Sequence, residues 1–344
     1  MNRAASIALA PLSGLYELVV ARRDGLYRSG VFQQRRVDAP VISVGNLTVG
    51  GTGKTPLVKW IAQRLADEGR RVCIITRGYR RASKGRITVS NGSEILATLD
   101  EAGDEALMLA ESLQNNVAVV CDANRVSAAQ FAIKTFQSDV IILDDAFQHR
   151  RIARDLDIVL IDATEPLANG RLLPAGRLRE PASALERADC LVLTRADNAD
   201  ERAAMREELR LINPTAPVFC SVMRFAGLTE LNERVAANLS GISAAAFCGI
   251  GNPQSFFSLL EREHFAINHQ KTFRDHHRYS QADVAGIEAA ARAAGAQALV
   301  TTAKDAVKLR SLKFTLPCYV AEIEVEVQPL TEFGQLISQT IENL

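Results

Sequence analysis

The sequence predicts an α/β protein: an α/β/α sandwich around a mostly parallel sheet, with a smaller α/β unit toward its C-terminus. Three observations carry that expectation. Short β-branched runs alternate with helix-length stretches from residue 39 onward, the signature of strand–helix–strand units. A glycine-rich turn, Val49-Gly50-Gly51-Thr52-Gly53-Lys54-Thr55, joins the first of those strands to the first of those helices. A length of 344 residues, at about 150 per domain, allows two domains that each bury a core.

The chain opens on a segment that needs sorting first. Arg3 and the stretch AASIALAPLSGLYELVVA superficially resemble a signal peptide, but too few apolar residues precede Ala8-Leu9-Ala10 for cleavage there. Pro11, Gly14 and Glu17 interrupt the stretch, which falls short of the roughly 20 apolar residues a membrane span needs. What remains is amphipathic: Leu12, Leu15, Tyr16 and Val19 fall at helical spacing, followed by arginines and by Leu26, Tyr27, Val31 and Phe32. Such a segment either packs on the domain or lies in a membrane interface.

Candidate strands then follow as PVISVGN, RVCIITRG, NVAVVCD, DVIILDD, LDIVLIDA, DCLVLTR and PVFCSV. Helical stretches lie between them: PLVKWIAQRLADEG, DEALMLAESL, NRVSAAQFAIKTF, ALERA and ERAAMREELRLIN. The loops at 77–86 and 169–181 are rich in Gly and Arg and long enough to be functional. From residue 243 a second unit reads as strand AAAFCGI, helices PQSFFSLLEREHF and SQADVAGIEAAARAAG, and strand ALVTT. CSVMRFAGL and CYVAEIEVEV bracket it and are expected to pair as a two-stranded linker, with a last helix returning to the first domain. The expected organisation is an N-terminal segment (1–36), a core (37–220), a smaller domain with linker strands (221–327) and a C-terminal helix (328–344).

Lys plus Arg equals Asp plus Glu at 40 each, so no global electrostatic grip on nucleic acid is expected. The balance is uneven: residues 1–36 hold six arginines against Glu17 and Asp24, net +4, which leaves −4 on the remainder. Six cysteines sit singly in apolar runs without metal-ligand spacing and read as core thiols of a reducing compartment.

The glycine-rich turn is the strongest chemical signal. Between a strand and a helix it converges backbone N–H groups on a phosphate, Lys54 adds charge at the β/γ oxygens, and the Thr55 hydroxyl can hold Mg²⁺. Thr48 stands where the strict phosphate-loop pattern has glycine, so the match is to the G-K-T core. Asp144-Asp145, ending an apolar strand, fit a Mg²⁺-organising acid or a turn. His149, four residues on, either contacts substrate or satisfies its loop. Asp104, opening a helix, reads equally as an N-cap and as a catalytic group. Asp275-His276-His277 is dense but lacks metal-ligand spacing. Gly249-Ile250-Gly251 lacks the third glycine of a dinucleotide loop. Leu193-Thr194-Arg195-Ala196-Asp197 is similar to the base-reading motif of GTPases with Arg for Lys, which keeps a GTPase or metallochaperone in play. Against it, Val49 stands where that class's variant loop has lysine before the glycine pair. A third reading is an ATP-binding interaction protein without acceptor chemistry.

The segments ISVGNLTVGGTGKT, TRGYRR, EAGDEALMLA, DDAFQHRRIARDLDI, RLLPAGRLREP, LTRAD, FRDHHRYS and TTAKDAVKL, in that order over about residues 10–310, resemble the tetraacyldisaccharide 4′-kinase family, the lipid A kinases of Gram-negative bacteria. The resemblance implies a P-loop NTPase-like core that transfers the ATP γ-phosphate to the 4′-hydroxyl of tetraacyldisaccharide 1-phosphate, giving lipid IVA. It implies ATP and Mg²⁺ as cofactors, with Thr48 to Thr55 (Thr48, Val49, Gly50, Gly51, Thr52, Gly53, Lys54, Thr55) around the nucleotide and Thr55, Asp144 and Asp145 at the metal. Lys54, Asp104 and His276 are the implied catalytic residues, Asp104 as base and His276 tuning it or orienting the hydroxyl. Tyr79, Arg125, His149, Arg179 and Glu180 match segments near substrate or nucleotide. Ala146 departs from the family's usual glycine, and a positive φ there would strain it by roughly 1 kcal/mol or more. With an acceptor drawn from a bilayer, the basic N-terminal segment is expected to dock a monomer peripherally on the anionic cytoplasmic face of the inner membrane. Closure about the 220–232 and 320–327 segments is expected to assemble the site.

Overall fold

A computed structural model of the chain describes residues 9–79, 81–113, 117–196, 199–237, 239 and 241–342. Arg3 and the other residues before 9, Arg80 of the 77–86 loop, and Asp197 of the LTRAD segment lie outside them. The elements run α1 (Ala10–Arg28), β1 (Val41–Asn46), α2 (Lys54–Asp67), β2 (Val72–Thr76), β3 (Ile87–Asn91), α3 (Leu99–Ala102), α4 (Asp104–Ser112), β4 (Val117–Cys121), α5 (Arg125–Phe136), β5 (Val140–Asp144), β6 (Leu156–Asp162) and β7 (Cys190–Thr194). Then come α6 (Ala199–Ile212), β8 (Val218–Glu230), β9 (Ala236–Ala237), β10 (Ala244–Cys248), α7 (Pro253–Arg262), β11 (Ile267–Thr272), α8 (Gln281–Ala293), β12 (Ala298–Thr302), α9 (Ala303–Leu309), β13 (Cys318–Gln328) and α10 (Leu330–Glu342).

All strands join one sheet in the order β3-β4-β2-β5-β1-β6-β7-β8-β13-β12-β10-β11, with β9 beside β8. Pairing is parallel except at β3/β4, β8/β9 and β8/β13. Strands β1, β2, β4, β5 and β7 are buried along their whole length, as expected of parallel strands covered on both faces. Their side chains alternate between two cores. Ile42, Val44, Ile74 and Ile142 face α2 and α4, where Leu57, Ile61 and Leu65 are fully buried. Val41, Ile75, Ile141 and Leu143 face α5. In a core packed this tightly, truncating one large aliphatic side chain costs about 2–5 kcal/mol.

The two bracketing segments pair antiparallel as β8 and β13, from Cys220↔Gln328 to Glu230↔Tyr319. Beyond them β10, β11 and β12 form a parallel unit covered by α7, α8 and α9. Helix α10 lies back on the core, its Phe333 ring 5.6 Å from Trp60 and 5.0 Å from Phe219. All six cysteines are buried and free.

Several elements differ from the sequence expectation. β3 and β11 went unread because they are edge strands: INHQKT exposes most of its side chains and carries no apolar run. ALERA forms a 3₁₀ segment, Ala182–Arg187, rather than an α-helix. In α1, Tyr16 does not share the apolar face with Leu12, Leu15 and Val19. It points inward, donating its hydroxyl to the Arg179 carbonyl at 2.8 Å, while Leu12, Leu15, Leu18 and Val19 are exposed.

Candidate functional site

β1 lies between β5 and β6, so its carboxyl end opens where the chain leaves in different directions on its two sides, the usual ligand edge of such sheets. Residues 47–53 turn there into α2. Gly53 takes φ 85° at the helix cap, the left-handed backbone that favours glycine. No side chain caps α2, which leaves its first N–H donors for a ligand. Lys54 donates to Asn46 Oδ1 at 3.1 Å and lies 3.6 Å from Asp145 Oδ1. Two arginines clasp the loop from outside. Arg177 donates to the Val49 carbonyl at 2.8 and 3.2 Å and pairs with Glu165. Arg195, which the sequence places in the base-reading segment, donates to the Gly51 carbonyl at 2.6 Å and pairs with Asp162. Its guanidinium is therefore committed to the phosphate loop.

Asp144 ends β5 in register with Val44. The two adjacent carboxylates differ sharply. Asp144 is 3% exposed and its Oδ1 has no hydrogen-bond partner among the described residues. Burial pushes its carboxyl up to about 7, with the charges of Glu105 and Asp145 adding to the rise and Lys54 and Arg125 opposing it. Asp145 accepts from Arg179 Nη1 at 2.8 and 2.9 Å. Burial raises its carboxyl too, but the charges of Lys54 and Arg179 prevail and hold it below the usual range. Asp145 takes the left-handed conformation, φ 50°, and Ala146 does not, so the strain expected at Ala146 does not arise.

No cluster of three His, Cys, Asp or Glu side chains suited to a metal occurs among the described residues. Mg²⁺ is commonly held by one or two carboxylates together with substrate phosphates rather than by a cage of protein ligands. The buried Oδ1 of Asp144, without a hydrogen-bond partner among the described residues, is the observation that fits such an ion.

Asp104 is the first residue of α4, and Gly103, at φ 82°, takes the cap position instead. Its Oδ1 accepts from the Glu105 N–H at 3.0 Å, and its Oδ2 lies 2.7 Å from His276 Nδ1 across 172 residues of sequence. Burial raises the Asp104 carboxyl, but the His276 hydrogen bond and the charges of Lys304 and Lys308 help bring it below the usual range. His276 sits in a loop at φ 61°, its N–H donating to the Gly249 carbonyl at 3.2 Å. Ser280 and Asp283 close that loop with a capping box at the start of α8. Gly249 in turn donates to buried Asp305 at 2.9 Å, so the Gly249-Ile250-Gly251 turn supports the histidine loop. Further acid–base pairs join α4 to the C-terminal unit, among them Glu105–Lys304 at 3.0 Å and Glu111–Arg310 at 2.8 Å.

Other sequence-predicted residues separate into near and far. Tyr79 is half-exposed, its ring 5.5 Å from that of His276. Arg179 reaches Asp145 and the Gln148 side chain. Arg125 is 3% exposed, donates to the Asp122 carbonyl at 2.7 Å, and its charge acts on Asp144. Burial, with Arg125, Arg154, Arg151 and Arg77 nearby, pushes the His149 imidazole down to about 4, leaving it neutral at physiological pH. Glu180 lies against α1. Its carboxylate, 2% exposed, is taken up by Arg23 of α1 and by Arg187 at 2.6 Å, which places it under α1 as a structural anchor. Asn46, Arg177, Glu105 and Lys304 were not singled out. Each lies inside one of the family-like segments, Asn46 in ISVGNLTVGGTGKT, Glu105 in EAGDEALMLA, Arg177 in RLLPAGRLREP and Lys304 in TTAKDAVKL, but residue type alone does not mark any of them there.

A family model described as "Tetraacyldisaccharide-1-P 4'-kinase" matches residues 5–342 of the chain. A tetraacyldisaccharide 4'-kinase from Desulfotalea psychrophila is 42% identical over 335 residues, 96% of this chain and 95% of that protein. Another, from Halothermothrix orenii, is 37% identical over 96% of this chain and 91% of that protein. Among solved structures, that of LpxK from Aquifex aeolicus in complex with ATP superimposes with a TM-score of 0.82 at 33% identity, covering 98% of this chain and 99% of that one.

Proposed function

The chain belongs to the tetraacyldisaccharide-1-P 4'-kinase family, and from that premise we propose that it transfers the γ-phosphate of ATP to the 4′-hydroxyl of a tetraacylated disaccharide 1-phosphate, with Asp104 accepting the hydroxyl proton. The observation that carries the assignment of roles is the 2.7 Å contact between Asp104 and His276, close enough to the aspartate pair for Glu105 to raise Asp144.

Phosphoryl transfer needs positioning and charge neutralisation more than covalent chemistry. The N–H groups of the loop and the Lys54 ammonium supply positive potential for the β- and γ-phosphates. Asn46 and Asp145 hold the lysine at the loop. Arg177 and Arg195 fix the loop's carbonyls outward, which aims its N–H groups inward. Asp104, ionised through the physiological range, receives the acceptor's proton, and His276 fixes the orientation of its carboxylate. A Mg²⁺ held by Asp144 and Thr55 would neutralise phosphate charge. The test is ATP consumption by the purified protein: turnover rises with added tetraacyldisaccharide 1-phosphate, and turnover indifferent to that acceptor refutes the proposal.

Asp144 gives a pH prediction. Without metal its carboxyl keeps a proton to about pH 7, so the stability it contributes is full below about pH 4 and is lost as pH rises through about 7. Binding a cation requires the carboxylate. Mg²⁺–nucleotide binding is therefore expected to release a proton below pH 7, with affinity rising up to about that pH and then levelling. Calorimetry in buffers of different ionisation enthalpy measures the proton, and its absence at pH 6 contradicts the assignment.

The same family membership supports peripheral attachment to the cytoplasmic face of the inner membrane. No described helix is long and apolar enough to cross a membrane. Helix α1 presents Leu15 and Leu18, 60% and 68% exposed, on its outer face. Part of its basic charge is already paired, Arg23 with buried Glu180 and Arg28 with Asp24 one turn back on the helix surface, which leaves the apolar face as the main attachment. Replacing Leu15 and Leu18 together by Ser is expected to weaken association with anionic phospholipid vesicles about tenfold. Sedimentation with such vesicles checks it, and unchanged binding counts against the face.

A further inference from the structure

His276 carries a constraint on its far side. Its Nε2 lies 3.4 Å from Lys304 Nζ. Lys304 also reaches Glu105 Oε1 at 3.0 Å and Asp275 Oδ1 at 3.2 Å, and it is largely buried by these contacts. An ammonium has three donors and no acceptor. Facing it, the ring nitrogen offers a lone pair, so the ring proton sits on Nδ1 and is donated to Asp104. Burial lowers the Lys304 ammonium, yet Glu105, Asp104 and Asp275 outweigh that and keep it charged.

We infer that Lys304 is a positioning residue that selects the neutral Nδ1–H tautomer of His276, and so sets the hydrogen bond orienting the Asp104 carboxylate. The inference rests on the reading of Asp104 as the proton acceptor. The alternative tautomer would turn an imidazole lone pair toward a carboxylate at 2.7 Å and leave the Nε2 proton facing a cation. Four described groups face the ring. Asp104 comes from α4, with Lys308 4.0 Å behind it; Lys304 comes from α9; the Tyr79 ring, from the loop after β2, lies tilted 5.5 Å away; Asp275 Oδ2 stands 3.7 Å from Nε2. Asp275 is beyond hydrogen-bond reach of that nitrogen and accepts from Lys304 instead. Lys304, Asp275 and His276 all belong to the unit beyond the β8–β13 pair, so the cation facing Nε2 comes from the same unit as the ring.

The experiment is ¹⁵N NMR of the full-length protein labelled at histidine, with the His276 signal assigned by comparison with His276→Gln. In the wild type at neutral pH, Nε2 is expected at a lone-pair-bearing shift and Nδ1 at a protonated one. An Nε2–H tautomer or an imidazolium overturns the inference, and this reading requires no lysine variant to fold. In Lys304→Met the two shifts are expected to change and kcat to fall about tenfold with KM for ATP unchanged, whereas Lys304→Arg, still a donor, retains the wild-type pattern. Unchanged shifts in Lys304→Met overturn the inference. Full activity in Asp104→Asn alongside the expected shifts would instead refute the proton-acceptor reading and leave the tautomer assignment standing.

Discussion

Asp104→Asn is expected to lower kcat for phosphate transfer by about 10²–10⁴-fold while leaving KM for ATP nearly unchanged. The substitution preserves shape and the acceptor for the Glu105 N–H, so α4 keeps its first turn. It removes the capacity to take a proton. Asp104 makes none of the contacts that hold Lys54 at the loop, which run to Asn46 and Asp145, so ATP binding is expected to stay intact. Steady-state kinetics with both substrates varied distinguishes the outcomes. A parallel rise in KM for ATP would place Asp104 at the nucleotide instead, and wild-type kcat would remove it from the chemistry.

Lys54→Met is expected to reduce kcat/KM for ATP by about 10²–10³-fold, the range for losing one preorganised charge at a transferring phosphoryl group. Methionine keeps the length and apolar stem of the lysine, so α2 remains packed on Leu57 and Ile61. Asp145 loses one of its two cations and keeps Arg179 at 2.8 Å, which limits the structural damage. Thermal unfolding close to wild type, together with the kinetic loss, separates lost catalysis from lost folding. A variant that binds and turns over ATP normally would contradict the role given to the loop.

Much of this architecture was legible because parallel strands covered on both faces must be apolar along their length, and VISVGN, VCIIT and VIILD are. The phosphate loop was legible because its chemistry is local: glycines, lysine and threonine act within one turn. The Asp104–His276 pair is a different case. The residues stand 172 positions apart, and Asp104 alone reads as well for a cap as for a base, so only the family resemblance pointed to the pair. Tyr16 sits at a spacing that fits the exposed stripe, but its hydroxyl finds the Arg179 carbonyl and turns the ring inward. Glu180 follows Arg179 in a functional-looking loop, yet the two side chains part, one to Asp145 and the other to Arg23 and Arg187. Sequence treats Asp144 and Asp145 as a pair; burial and charged neighbours make one a protonatable acid whose Oδ1 has no partner among the described residues and the other a fixed counterion.

Locating the transferred phosphate tests the central claim most directly. With ATP, Mg²⁺ and tetraacyldisaccharide 1-phosphate, the protein is expected to yield one new phosphate monoester, assigned to the 4′-oxygen by ³¹P–¹H correlation, with the 1-phosphate unchanged. Folded, ATP-binding protein that leaves the 4′-hydroxyl free, or that places the phosphate elsewhere on the sugar, would contradict the account.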